Sequence, residues 1–116
     1  MSNPITVDQT MSLYYDKNGT PLTFMEWAKK MATKNYKRVQ ETTLPDGKWV
    51  STVWLGLNYN FNTTSFPLIF ETMVFRTERD LDDLYCERWA TLAEAEAGHK
   101  RIVEMCLKGE LNVHDK

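Results

Sequence analysis

Apolar residues along this chain recur with two periods, and each predicts a different kind of element. Phe24, Trp27, Ala28 and Met31 fall on one side of a helix, while Lys29, Lys30 and Lys34 fall largely away from it. Thr23 and Glu26 form a capping box at its start, hydroxyl to backbone N–H one way and carboxylate to backbone N–H the other. A second capping box, Thr91 with Glu94, opens a helix running to about Leu107, with Gly109 just past its end as a C-cap. Its inner stripe is Leu92, Ala95, His99, Ile102 and Cys106. Elsewhere the chain reads as strands. Leu13–Tyr15 and Thr20–Leu22 flank the turn Asp16-Lys-Asn-Gly19, where Asn-Gly readily supplies positive φ. Tyr36–Thr43, Lys48–Gly56, Leu68–Arg76 and Leu84–Ala90 complete the order β-β-α-β-β-β-β-α. Short connections between consecutive strands make the sheet antiparallel. The fold class expected is therefore α+β, with an antiparallel sheet of about four to six strands and two amphipathic helices packed on one face.

Turn chemistry fixes one register in advance. Leu44-Pro-Asp-Gly47 has the pattern of a type I turn with a glycine bulge, which sets Leu44 against Lys48. Counting back pairs Thr42 with Val50, Glu41 with Ser51, Gln40 with Thr52, Val39 with Val53 and Arg38 with Trp54. The last pair places a guanidinium within stacking reach of an indole. On Leu68–Arg76, parity puts Ile69, Glu71, Met73 and Phe75 on one face and Leu68, Phe70, Thr72 and Val74 on the other. Both faces are apolar, so this strand is expected to be central and covered at least in part on both sides. Glu71 then needs a partner, because an unpaired buried carboxylate costs several kcal/mol. The partners within reach by sequence are Arg88, His99 and the hydroxyls of Ser51 or Thr52.

Length and composition narrow the function classes. At 116 residues the chain is expected to hold a single domain over 11–109, with a flexible segment at 1–10 and a tail at 110–116. With a net charge of −2, nothing in the total argues for nucleic acid or an acidic membrane, and neither is expected as partner. The charge is nevertheless segregated: Lys29, Lys30, Lys34, Lys37 and Arg38 lie in a stretch without acids, and acids dominate Glu78–Glu96. Cys86 and Cys106 have no CxxC spacing and fit free thiols in a reducing cytoplasm. No transmembrane run or N-terminal targeting pattern is visible.

Catalytic signatures are missing. There is no HxxxH or CxxC for a metal, no GxSxG nucleophile elbow, no GxxxxGK[ST] and no GxGxxG. No cofactor, metal site or catalytic residue is expected. His99 on an apolar stripe fits a neutral packing histidine, and Glu71 fits an internal ion pair. The residues most suited to binding are Arg38, Trp54, Tyr59, Phe61, Glu71, Arg88 and His99, where charge and aromatic surface coincide.

Several motifs in order also carry a resemblance. Tyr14-Tyr-Asp-Lys-Asn-Gly-Thr-Pro-Leu-Thr23 with Glu26-Trp-Ala28, Val50-Ser-Thr-Val-Trp-Leu-Gly-Leu57, Pro67-Leu-Ile-Phe-Glu-Thr-Met-Val-Phe75, Arg88-Trp-Ala-Thr91 and Glu94-Ala-Glu-Ala-Gly-His99 make the chain similar to a group of small uncharacterised phage and prophage proteins. The resemblance spans about residues 13–103. It departs after Gly56, where Asn58-Tyr59 stands in place of Asp-His, and Asn62-Thr-Thr-Ser65 in place of a glycine-rich stretch. It implies a phage source and a setting in the cytoplasm of the bacterial host, and it assigns no catalytic residue. The function expected is that of an accessory protein that binds a host or bacterial-defence protein. A small-ligand, nucleotide or nucleic-acid binding module and a virion component are the alternatives, and a homo-oligomer is possible.

Overall fold

A computed structural model describes residues 13–58, 66–80 and 82–111. The expected segment 1–10, residues 112–116 of the tail, and the candidate binding residues Tyr59 and Phe61 lie outside the described residues. The fold is α+β, in the expected order: β1 (Tyr14–Tyr15), β2 (Pro21–Leu22), α1 (Phe24–Ala32), β3 (Arg38–Thr43), β4 (Trp49–Trp54), β5 (Phe70–Phe75), β6 (Asp83–Trp89) and α2 (Leu92–Leu107). β1 and β2 form a small hairpin, and β3-β4-β5-β6 form an antiparallel meander. β4 and β5 are the central strands. No helix among the described residues is long and apolar enough to cross a membrane.

Local chemistry accounts for the boundaries. Both ends of the α1 capping box are made: Thr23 Oγ1 accepts from the Glu26 N–H, and Glu26 Oε1 accepts from the Thr23 N–H. Thr91 caps α2 by accepting from the Glu94 N–H, but the expected second box is only half made, because the Glu94 carboxylate accepts from the Ala90 N–H at 3.0 Å instead of from Thr91. The hairpin from β3 to β4 closes as expected, with the Leu44 N–H on the Lys48 carbonyl at 2.8 Å and Gly47 at φ 95°.

The two helices take different seats. α2 runs across all four strands of the meander, whereas α1 leans on β1 and β2. Trp27 of α1 reaches the end of the meander, where its Nε1 donates to the Leu55 carbonyl. Gly56 makes that approach possible: at φ 72° a Cβ there would stand 2.5–2.6 Å from the Trp54 and Trp27 rings. Beneath α2, Val50, Trp54, Phe70 and Val74 of the sheet pack with Ala95 and Ile102 of the helix. This is the closed face. Its core residues alternate along β4 and β5, so the opposite face carries Trp49, Ser51, Val53, Glu71, Met73 and Phe75.

The register follows the expectation from Thr42 to Gln40 and then departs. A bulge between Arg38 and Gln40 sets Arg38 opposite Val53 instead of Trp54. Trp54 is fully buried, its Nε1 donating to the Tyr15 carbonyl at 2.9 Å and Tyr36 standing edge-on to its ring. The expected Arg38–Trp54 stack is therefore replaced by an ion pair of Arg38 with Glu41.

Candidate functional site

The open face is a groove rather than a flat sheet. Its floor is Ser51 and Val53 of β4 with Glu71 and Met73 of β5, and the stacked rings of Trp49 and Phe75 close one end. The segment from Met31 to Arg38 forms a wall, turned by Asn35 at φ 67°, a conformation asparagine tolerates. The enclosed space is about 420 Å³. Ser51 and Glu71 of the floor and Phe75 at the closed end are each under a tenth exposed, while Val53 and Met73 are half-buried.

Each carboxylate in the groove is tied to a cation. Glu41 pairs with Arg38 and accepts from Trp49 Nε1 at 3.3 Å. Glu71 accepts from Arg88 Nε at 3.1 Å and from the Cys86 thiol at 3.2 Å. Burial, and next the bond to Glu71, push the Cys86 thiol up to about 12, so thiolate chemistry is closed to it at neutral pH. Among the described residues no cluster of His, Cys, Asp and Glu is arranged to hold a metal ion. At the mouth the balance is basic. Lys34 and Lys37 are exposed in the wall, and just beyond it the Tyr36 ring lies between Lys17 and Lys30, whose Nζ atoms stand 4.6 and 4.8 Å from its centroid.

His99 is on the other side of the sheet. Its Nδ1 lies 2.7 Å from Thr52 Oγ1 and its Nε2 lies 2.8 Å from Thr42 Oγ1. Thr52 Oγ1 contacts Thr72 Oγ1 at 2.6 Å, and Trp89 Nε1 donates to Thr72 at 2.9 Å. The indole can only donate. A consistent chain therefore runs from Trp89 through Thr72 and Thr52 to Nδ1, leaving Nε2–H to donate to Thr42. This arrangement uses a neutral imidazole, and burial pushes the pKa of His99 down in the same direction. Fully paired, the chain ties β3, β4, β5 and β6 to α2.

The residues singled out by sequence thus separate. Arg38, Glu71 and Arg88 meet at or beside the groove. Trp54 and His99 are buried under α2 and present no surface to a partner. Of the partners foreseen for Glu71, Arg88 is the one it meets, while His99 and Thr52 face away from it. Cys86, its second partner, was not foreseen; the pairing of Met73 with Cys86 and Glu71 with Arg88 is what brings the thiol beside the carboxylate. Trp49, Val53, Met73 and the wall lysines also enter the site only through the fold. Compared with protein-family models, with curated proteins and with solved structures, the chain gives no match.

Proposed function

We propose that this is a non-catalytic binding protein whose working surface is the groove on the open sheet face. Following the resemblance to phage proteins, its partner is a protein of the bacterial host or of its defences, met in the host cytoplasm. One observation carries this reading: the groove offers the apolar side chains of Val53 and Met73 on its floor while both of its carboxylates are held in ion pairs, so it has surface to bind with and no free acid–base pair to react with. Affinity capture from bacterial lysate by the full chain tests it. A saturable protein partner should be retained by the natural chain and lost by Ala32→Trp, which fills the mouth from an exposed helix end, and by Met73→Arg, which puts a charge on the floor. Capture that is indifferent to both changes, or no saturable partner, would refute it.

The groove volume favours a second reading, a small ligand with an anionic group, because about 420 Å³ lies within the range of small-molecule sites. A thermal-shift panel of nucleotides separates the two, since a tight small ligand raises the midpoint by mass action.

A further inference from the structure

We infer that the groove receives an acidic segment of the partner protein, anchored by one apolar side chain on Val53 and Met73 and held at the mouth by Lys34 and Lys37. This rests on the reading of the groove as a protein-binding surface and adds the chemistry of what enters it.

The narrowness of the site limits the occupant. A stable protein interface buries about 800 Å² on each side. With Ser51 at 9% and Glu71 at 7% exposure, the floor has only Val53 and Met73 to offer, too little for a broad surface such as the sheet of a second copy. Something slender fits: a side chain that enters while its flanking backbone stays at the rim. The apolar floor and the Trp49–Phe75 stack select an aromatic or aliphatic anchor.

Charge decides the flanks. Arg38 is paired with Glu41, and Arg88 with Glu71. Lys34 and Lys37 remain at the mouth with no carboxylate of the described residues neutralising them. A single small ligand in the groove would leave these exposed lysines unused, whereas a chain of carboxylates leaving the groove would pass them. Nucleic acid would pass them too, but the net charge of −2 disfavours it.

The test is selection of random short peptides displayed against the full chain, followed by affinity measurement of the recovered sequences at two salt concentrations. The recovered peptides should carry one aromatic or aliphatic residue flanked by Asp and Glu. They should weaken about tenfold or more on Lys34→Glu/Lys37→Glu, weaken with added salt, and lose binding on Ala32→Trp and on Met73→Arg. All of these changes except Met73→Arg are at exposed positions, and melting curves of each variant confirm that the fold is kept. Peptides without acidic bias that still need an open groove would overturn the inference and leave the binding surface standing. Acidic peptides indifferent to Ala32→Trp and Met73→Arg would overturn both. A selection that enriches nothing would overturn the inference alone, because lysate capture tests the surface independently. A dimer by light scattering that Ala32→Trp dissociates would put a second copy in the groove and likewise overturn it, as would tight binding of an oligonucleotide lost on Lys34→Glu/Lys37→Glu.

Discussion

Removing Arg88 should cost more stability than removing the charge of Glu71, although Arg88 is much the more exposed of the pair. The Glu71 side chain is 9% exposed and that of Arg88 is 40% exposed. Arg88→Gln leaves a carboxylate that is mostly out of water with, among the described residues, the Cys86 thiol as its donor. Stranding one member of a fully buried pair costs about 3–5 kcal/mol. Here the guanidinium is partly solvated and the groove admits some water, which discounts the figure to about 2 kcal/mol. Glu71→Gln instead leaves an amide oxygen that still accepts from Arg88 Nε, and the guanidinium, 40% exposed, keeps its access to water. Exchanging a charge-assisted bond for a neutral acceptor costs about 1 kcal/mol. The double variant should be less destabilised than the sum of the singles by about 1 kcal/mol, because Arg88→Gln no longer strands a charge. Urea unfolding at neutral pH, read as midpoints at constant slope, measures all three. Equal or reversed costs for the singles, or strict additivity, would refute the assignment of Glu71 as the buried end of an ion pair. So would a Glu71→Gln chain that keeps full stability and loses partner binding, since Glu71 would then act on the partner directly.

Three further outcomes follow from the closed face and the thiol. The imidazole of His99 is held below its ordinary value by burial, so on acidification the unfolded chain takes up the proton first. Its contribution is complete above about pH 6.5 and declines as pH falls from there toward the lowered native value, by up to about 1.4 kcal/mol per pH unit; His99→Gln should flatten that part of the stability profile, and an unchanged slope would contradict the neutral chain. Gly98→Ala should lower stability by about 1–2 kcal/mol in thermal melts despite the better helix propensity of alanine, because a Cβ there would stand 2.3 Å from a Trp89 ring already fixed by its bond to Thr72; a stabilised variant would show that the ring yields. Alkylation of Cys86 in the native chain, followed by mass spectrometry at mildly alkaline pH, should be more than about a hundredfold slower than in the unfolded chain, because its thiol is pushed up to about 12; rapid native labelling would place it outside the Glu71 pocket.

The legible features are those whose causes are local. Thr23 with Glu26 and Thr91 with Glu94 mark where helices begin because the bonds join neighbours in sequence, and the Leu44–Gly47 turn sets the register of three pairs for the same reason. Parity along β5 also separates Glu71 from Thr72 correctly. What parity leaves open is which face the last helix covers, since Phe70 and Val74 are no more apolar than Met73 and Phe75. Choosing the face with Phe70 sends His99 to the threonines and removes it from Glu71. The bulge at Arg38 is likewise silent in the sequence, and it is what converts an expected aromatic stack into an ion pair with Glu41. The groove depends on residues 31–38 rising as a wall beside the sheet, a long-range arrangement for which Asn35 at positive φ is the one local mark.

The two faces of β4 and β5 divide the work of the protein by a single alternation. Thr52 and Thr72 point into the closed face and bind the sheet to α2, and the residues between and beside them, Val53, Glu71 and Met73, form the floor of the groove. A floor so placed has its backbone fixed by a network on its far side. A partner docking there would cost this floor little further conformational freedom, one of the terms that separate weak interfaces from tight ones of equal area. The same arrangement gives Glu71 a structural role on the groove floor. Together with Arg88 and Cys86 it bonds β5 to β6 on the side away from α2. Its carboxylate is spent on these bonds inside the groove, so under the proposed function recognition would fall to Val53 and Met73 and to the lysines at the mouth.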